Sequence, residues 1–325
     1  MSRIPDAPPR VEPLPADTMR PLWSVMIPVY NCVGFLRETL ESVLVQDPGA
    51  GVMQIEVVDD ASTDGDICAL VREVGKGRIA YFRQQANVGS LRNFQTCLER
   101  SKGHLVHILH GDDRVRTGFY AHMTKLFEDY SSAGAAFCRY AYINEHGDVA
   151  YNHDAEMDHE GVLENWLPRI CERQRIQYVA MVVRRNVYEA LGGFFGVEYG
   201  EDWEMWARIA ANYRIAYTPE ALAEYRRHYA SVSGKAFLSG GNMNSLAWVM
   251  DQVQRHLSAT DRETVMRRSR SFYAHYAMRV ANTLWSKFKS RRGASAQAWA
   301  AWRMSRDARL LLKIIKLYTR ISLNI

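Results

Sequence analysis

From Trp23 onward, short apolar runs alternate with stretches whose apolar residues recur every three to four positions. That alternation predicts βα units around a largely parallel sheet. Residues 23–30 read as the first strand. Leu36, Leu40, Val43 and Leu44 then share one helical face that ends before Asp47 and Pro48, and residues 54–58 read as the second strand. In the turn that follows, Ser62, Thr63 or Asp64 can cap a helix running towards Val74. Residues 78–82 form a third strand. Asn87-Val-Gly opens a helix with Leu91, Phe94 and Leu98 inward, and a fourth strand over 105–109 stops at Gly111-Asp112-Asp113.

The second half is more mixed. The pattern gives a helix near 118–129, a strand near 135–143, a turn at His146-Gly147-Asp148, a strand over 177–183 and a short helix over 187–191. An amphipathic helix covers 202–212, and everything from about Gly241 is helical. The proline-rich residues 1–20, with Asp6, Glu12 and Asp17 and no apolar run, read as a disordered lead-in. A glycine-bearing loop over 233–241 (Gly234, Gly240, Gly241) marks a junction. The expected division is therefore a lead-in (1–20), an α/β domain (21–234) and a helical C-terminal extension (235–325).

Composition adds two facts. With 325 residues, 47% of them hydrophobic, the chain can bury a full core. Its net charge of +5 hides an asymmetry: residues 261–325 hold fifteen Lys and Arg against three Asp and Glu, while the remainder holds 26 against 33. The two parts should meet different partners. Five scattered cysteines suit neither a disulfide framework nor a zinc site, which points to a reducing cytoplasm. No apolar run approaches the roughly 18 residues of a spanning helix, so the expected location is cytoplasmic or peripheral on the inner face of the membrane.

Ligands of open α/β sheets bind beyond the carboxyl ends of the strands. Asp59-Asp60 and Asp112-Asp113 both stand there. A carboxylate can accept from a nucleobase N–H or a ribose hydroxyl, but one facing a diphosphate repels it unless a cation intervenes. Mg2+ or Mn2+ resolves that conflict, with Asp113 the candidate ligand. Taken singly, each pair is equally a turn or a helix cap. A second constellation is Glu201-Asp202-Trp-Glu-Met-Trp206, where helical spacing puts Asp202 at a helix N-terminus that favours an ionised carboxylate able to act as a base. Standing alone, it reads as an N-cap. The third is Tyr225-Arg-Arg-His228, whose Arg226, Arg227 and His228 suit an anion, one arginine being left for an ion pair.

Through Ser24-Val-Met-Ile-Pro-Val-Tyr-Asn31, Glu56-Val-Val-Asp-Asp-Ala-Ser-Thr-Asp64, Asn87-Val-Gly, Leu91-Arg-Asn93 and Gly111-Asp-Asp113, the sequence resembles the family 2 glycosyltransferases. The resemblance runs from Ser24 to about Gly234. It implies the A-type glycosyltransferase fold and an inverting transfer of sugar from a nucleoside diphosphate sugar, a UDP-sugar foremost, to an acceptor hydroxyl in surface-glycan synthesis. Pro28, Val29 and Tyr30 would line the base and ribose, Asp60 would meet the base and Arg92 would wall that pocket. Asp112 would touch the ribose or donor sugar and Asp113 would coordinate the metal. Asp202 would be the general base, Arg226, Arg227 and His228 would lie beside the diphosphate, with His228 a further metal candidate, and Glu201 and Trp203 are candidates for the acceptor. The sequence departs from the family at His110, where many members carry another aspartate; packing or support of a ligand is the reading for this histidine. Trp203 and Trp206 on an amphipathic helix are also ordinary core residues.

Residues 303–325 interleave Arg306, Arg309, Lys313, Lys316 and Arg320 with Leu310, Leu311, Leu312, Ile314, Ile315, Leu317 and Ile321. Such a helix suits an anionic membrane surface and a lipid-linked acceptor, or else packs on the catalytic domain or in a homodimer seam. No nucleic-acid module accompanies the charge, and nucleic acid is not an expected partner. Two rivals stand beside the enzyme. A sugar-phosphate nucleotidylyltransferase lacks support, because residues 29–34 replace its glycine-rich loop; a silent membrane scaffold would not need Asp113 and Asp202.

Overall fold

The computed structural model describes residues 2–228, 236–237 and 240–325. It comprises two compact units. The first is Met1–Glu164, Ile176–Gly196 and Arg208–Arg227; the second is Asn165–Arg175, Val197–Ala207 and His228–Ile325. Most of the expected junction loop, together with Ser231-Val-Ser233, lies outside the described residues. The second unit is more than a C-terminal extension, since it also draws in two segments from the middle of the chain.

The first unit holds a sheet of ten strands among the described residues. These are β1 (Trp23–Val29), β2 (Met53–Asp59), β3 (Ala80–Arg83), β4 (Leu105–Ile108), β5 (Arg114–Val115), β6 (Ala133–Ile143), β7 (Val149–Asn152), β8 (Gly161–Val162), β9 (Met181–Arg184) and β10 (Arg214–Arg226). Their order is β3-β2-β1-β4-β9-β6-β10-β5, with β7 on β6 and β8 on β10. The first four pair in parallel, as the βα pattern requires. All seven residues of β1 are buried, as in a strand covered on both faces. Strand β9 runs antiparallel to both neighbours, so the sheet is mixed beyond β4.

Helices α1 (Val33–Leu44), α2 (Ile67–Gly75), α3 (Ser90–Arg100) and α4 (Phe119–Asp129) follow the expected faces, with Leu36, Leu40 and Val43 buried on α1 and Leu91, Phe94 and Leu98 on α3. The cap of α2 is a correction. Asp66, not Ser62, Thr63 or Asp64, accepts from the Ala69 amide. The displaced candidates serve the preceding loop: Ser62 Oγ accepts from the Asn31 amide, and Asp64 Oδ2 accepts from the Val33 amide at the start of α1. The strand expected over 177–183 is a short 3-10 turn, Tyr178–Ala180, before β9 begins, and α6 (Arg185–Leu191) follows α5 (Trp166–Glu172).

The lead-in is not disordered. Val11 and Pro5 are buried, the Pro5 and Pro9 carbonyls accept from the Gly196 and Gly193 amides, and Gln95 donates to the Arg10 carbonyl. Proline content here reflects an extended strap that presents carbonyls and needs few amide partners of its own.

In the second unit α8 (Gly241–Val253), α9 (Ala259–Phe288), α10 (Arg291–Met304) and α11 (Ala308–Leu323) form the helical part. Small residues let α9 and α10 approach closely: Ala274, Ala277 and Ala281 are buried on one, Ala294, Ala298 and Ala301 on the other. Helix α11 buries only Leu310, Leu317 and Ile321, leaving Leu311, Leu312 and Ile315 exposed. Its apolar residues therefore form two stripes rather than one broad face.

Candidate functional site

Strand β1 lies between β2 and β4, and the chain reaches β3 on one side before returning to β4 on the other. That reversal is a topological switch point, where the loops beyond the carboxyl ends part and leave a crevice. The loops after β1 and β2 are tied together, because Asn31 Oδ1 accepts from the Thr63 amide at 2.8 Å while Ser62 and Asp64 hold Asn31 and Val33. The loop after β4 closes in tightly. A Cβ on Gly111 would stand 2.9 Å from Cys32 Sγ and Val29 Cγ2, so only glycine lets Asp112 and Asp113 come this near the end of β1.

The two acid pairs fare differently. Asp59 is a fastener: its Oδ1 accepts from the Ser62 amide, and its Oδ2 accepts from the Tyr81 hydroxyl and from Arg83. Asp60 Oδ1 accepts from the Val88 amide, and Oδ2 accepts from the Gly89 amide and Asn87 Nδ2. Burial pushes its carboxyl up, against those amides and the nearby charge of Arg3, which pull it down.

Asp113 is 1% exposed, and Oδ1 accepts from the Arg226 amide at 2.8 Å. Oδ2 is buried with no hydrogen-bond partner among the described residues, as is His110 Nε2. Burial, reinforced by the charge of Asp112, pushes the Asp113 carboxyl well above the carboxylate range. His110, Asp112 and Asp113 each offer a ligand atom within 4.8 Å of the others'. Two carboxylates, an imidazole and a buried orphan oxygen fit a divalent cation. His110 also packs as expected, stacked on Phe94 at 5.2 Å and tilted against Tyr178 at 4.4 Å.

Arg226, at the end of β10, holds this loop from behind. Its Nε donates to the Asp112 carbonyl and its Nη2 to Glu38 Oε2, both at 2.8 Å, with the guanidinium over the Phe35 ring. The side chain is wholly buried. Arg226 is therefore the ion-pairing arginine of the doublet and not a diphosphate ligand, because its guanidinium is consumed within the protein. Although burial pushes Glu38 up, Arg226 and Arg114 together hold its carboxyl below the usual range. Arg227 is exposed and reaches the Tyr151 hydroxyl. His228 is the first residue of the last segment of the second unit.

Other expected residues need correction. Pro28 and Val29 are buried, their carbonyls engaged by the Gly111 and Asp60 amides; of the three residues expected to line the base, Tyr30 is the exposed one. Arg92 Nε donates to the Ser2 carbonyl, so the strap reaches this residue. Trp203 does not stack on a ligand: it is fully buried, donates to the Ile170 carbonyl and packs on Tyr273.

Glu201, in the second unit, is the first residue of α7 (Glu201–Asn212), and its side chain is also buried. Asp202 Oδ1 accepts from the Trp203 amide at 2.7 Å, and Oδ2 accepts from Gln174 Nε2. Burial raises its carboxyl to about 6 against these two bonds. The helix terminus thus does not keep it at an ordinary carboxylate value, yet about 6 leaves it mostly ionised above neutrality and well matched to proton transfer. Gln174, Glu38 and Tyr178 had no sequence signal; each is a single residue whose role depends on a distant partner.

A sequence model of glycosyl transferase family 2 matches residues 24–199, more than half of the chain. An uncharacterized protein of Mycobacterium tuberculosis is 30% identical over 236 residues, covering 65% of this chain and 69% of its own. Glycosyltransferase GlyA of Streptococcus pneumoniae is 27% identical over 227 residues, and the match spans only 31% of its length. The crystal structure of S. aureus TarS 1-349 in complex with UDP-GlcNAc superposes with a TM-score of 0.65 at 15% identity, covering 92% of this chain and 90% of that one, which supports the shared A-type fold. With the acid-bearing loops at the switch point and this match across the strands that carry them, the chain belongs to glycosyl transferase family 2.

Proposed function

We propose that the protein is a metal-dependent, inverting glycosyltransferase that uses a nucleoside diphosphate sugar, with a UDP-sugar as donor. The observation that carries this reading is the buried, unpartnered Oδ2 of Asp113 beside Asp112 and His110, at the carboxyl end of a switch-point strand. Asp113, with Asp112 and His110 at hand, would hold a divalent cation there, whose charge would offset that of the departing diphosphate. Asp60 meets the base through the acceptor capacity left on Oδ1, and Arg92 and Tyr30 wall the base and ribose. Arg227 and His228 serve the diphosphate, and Glu201 the acceptor. The UDP-GlcNAc bound to TarS supports a uridine donor.

Asp202 takes the proton from the acceptor hydroxyl. The freed oxygen forms its bond to the anomeric carbon as the bond from that carbon to the phosphate oxygen breaks, and the electron pair leaves with the diphosphate. Attack from the face opposite the nucleotide inverts the centre. The acceptor is a glycan or lipid-linked glycan. Leu311, Leu312 and Ile315 stand exposed beside Arg309, Lys313 and Lys316, a pattern that suits the surface of an anionic membrane. No helix among the described residues is long and apolar enough to cross one.

The test is a panel of nucleotide sugars titrated with and without Mn2+. Manganese-dependent binding of one uridine donor, with slow release of its nucleoside diphosphate, is expected; no metal-dependent binding of any donor overturns the reading. Co-sedimentation with vesicles containing phosphatidylglycerol tests the surface. A Leu311→Glu, Leu312→Glu, Ile315→Glu variant, which spares the buried stripe, should stay in the supernatant.

A further inference from the structure

The N-terminal strap ends on the loop that holds Asp60. Asn87, Val88 and Gly89 supply every hydrogen bond that the Asp60 carboxylate accepts. Arg3 Nη1 donates to the Asn87 carbonyl of the same loop at 3.4 Å, and a Cβ on Gly89 would meet Arg3 Nε at 3.1 Å. The next residue back, Ser2, accepts from Arg92 Nε at 2.9 Å. Two of the residues given the base in the reading above, Asp60 and Arg92, are thus in reach of Ser2 and Arg3. Behind them the strap is anchored at Pro5, Pro9, Arg10 and Val11, and its Glu12 carbonyl accepts from Arg185. The anchor fixes where the tip falls, while Arg3 itself is exposed and spends one long hydrogen bond on the protein. A guanidinium has five N–H donors, so most of its capacity is uncommitted.

We propose that the strap is part of the donor site and that Arg3 is a nucleotide-recognition residue, reading the base together with Asp60. The inference rests on the donor reading above. Its chemistry follows from the order of groups on the base edge. Uracil presents an N–H between two carbonyls. Asp60 can only accept and takes the N–H; Arg3 can only donate and takes the flanking carbonyl at C4, the one that cytosine replaces with an amino group. Cytosine offers a ring nitrogen acceptor and an amino donor at those places, which matches neither. The pair therefore selects a base with an N–H beside a carbonyl and rejects the amino pyrimidine.

The experiment is calorimetric titration of UDP and CDP, with Mn2+ present, into the full chain and its Arg3→Ala and Arg3→Lys variants. Arg3→Ala should weaken UDP about tenfold, the scale of one hydrogen bond from a charged donor, and leave CDP unchanged, so that the preference for UDP narrows. Arg3→Lys, keeping the charge without the planar fork, should fall between. Melting temperatures should coincide, since the side chain is exposed. If the wild type binds UDP and Arg3→Ala binds it equally well, or more tightly because the strap obstructs the site, the inference is overturned and the donor reading stands. If the wild type binds no nucleoside diphosphate, the donor reading falls and takes this inference with it.

Discussion

Two buried carboxyls, Asp113 in the first unit and Asp202 in the second, are both raised by burial, but their oxygens are treated oppositely. Asp202 has both oxygens occupied, by the Trp203 amide and Gln174. Asp113 has one oxygen held by the Arg226 amide and one with no hydrogen-bond partner among the described residues. A satisfied acid near pH 6 is a finished device that can take up and return a proton. An unsatisfied one has an oxygen to spare for a cation, the role proposed above. The pKa direction alone does not separate these roles; the hydrogen-bond inventory does.

The largest expected effect breaks the base half of that comparison. Asp202→Asn keeps the size but cannot accept a proton, so turnover should fall about 10²–10⁴-fold with UDP affinity nearly unchanged. Equal losses of affinity and turnover would move the base role to Glu201. Next, Asp113→Asn should weaken manganese-dependent nucleotide binding by at least about tenfold, since even outer partners of metal ligands are worth that much. Without metal the same variant should melt no lower than wild type, because burial already disfavours the ionised acid and the amide keeps its size without a charge. An equal response to Mn2+ in variant and wild type would remove the metal from Asp113.

Smaller effects sharpen the contrast. As the proposed base Asp202 must be ionised to act, and burial raises its carboxyl to about 6, so kcat should rise with pH through that value and then level. Gln174→Leu removes a bond that pulls the value down, and the acid limb should move upward by roughly a pH unit. A limb that stays put would mean another group sets it. Glu38→Gln, which loosens Arg226 without touching Asp202, should cost about two- to fivefold in metal-dependent affinity and leave the kcat profile in place.

Strands β1, β2 and β4, helices α1 and α3 and the acid pairs were legible in the sequence because each is a local pattern: a buried run, a helical stripe, a polar loop at a strand end. Strand β10 was not. Its residues include Pro219, Glu220 and several alanines, which favour other structure, and bulges at Thr218, Ala221 and Ala223 break the period that would reveal it. The strap was misread for a related reason, since proline and isolated charges look alike whether a segment floats or lies flat against a surface. Which arginine of Arg226-Arg227 faces inward depends on Glu38, almost two hundred residues earlier, and no spacing rule spans that distance.

Arg226 reaches back 113 positions to Asp113 of the acidic loop and 188 positions to Glu38. Contacts of such separation close late in folding, because the loop entropy must be met before they form. A chain ending at residue 199, the limit of the matched family segment, carries Asp112 and Asp113 but none of β10. Such a fragment, or a nascent chain at that length, should bind no metal whatever its helical content. On the metal-dependent reading proposed above, a growing chain would acquire its cation site only once β10 is in place, and termination before that point would yield no active enzyme.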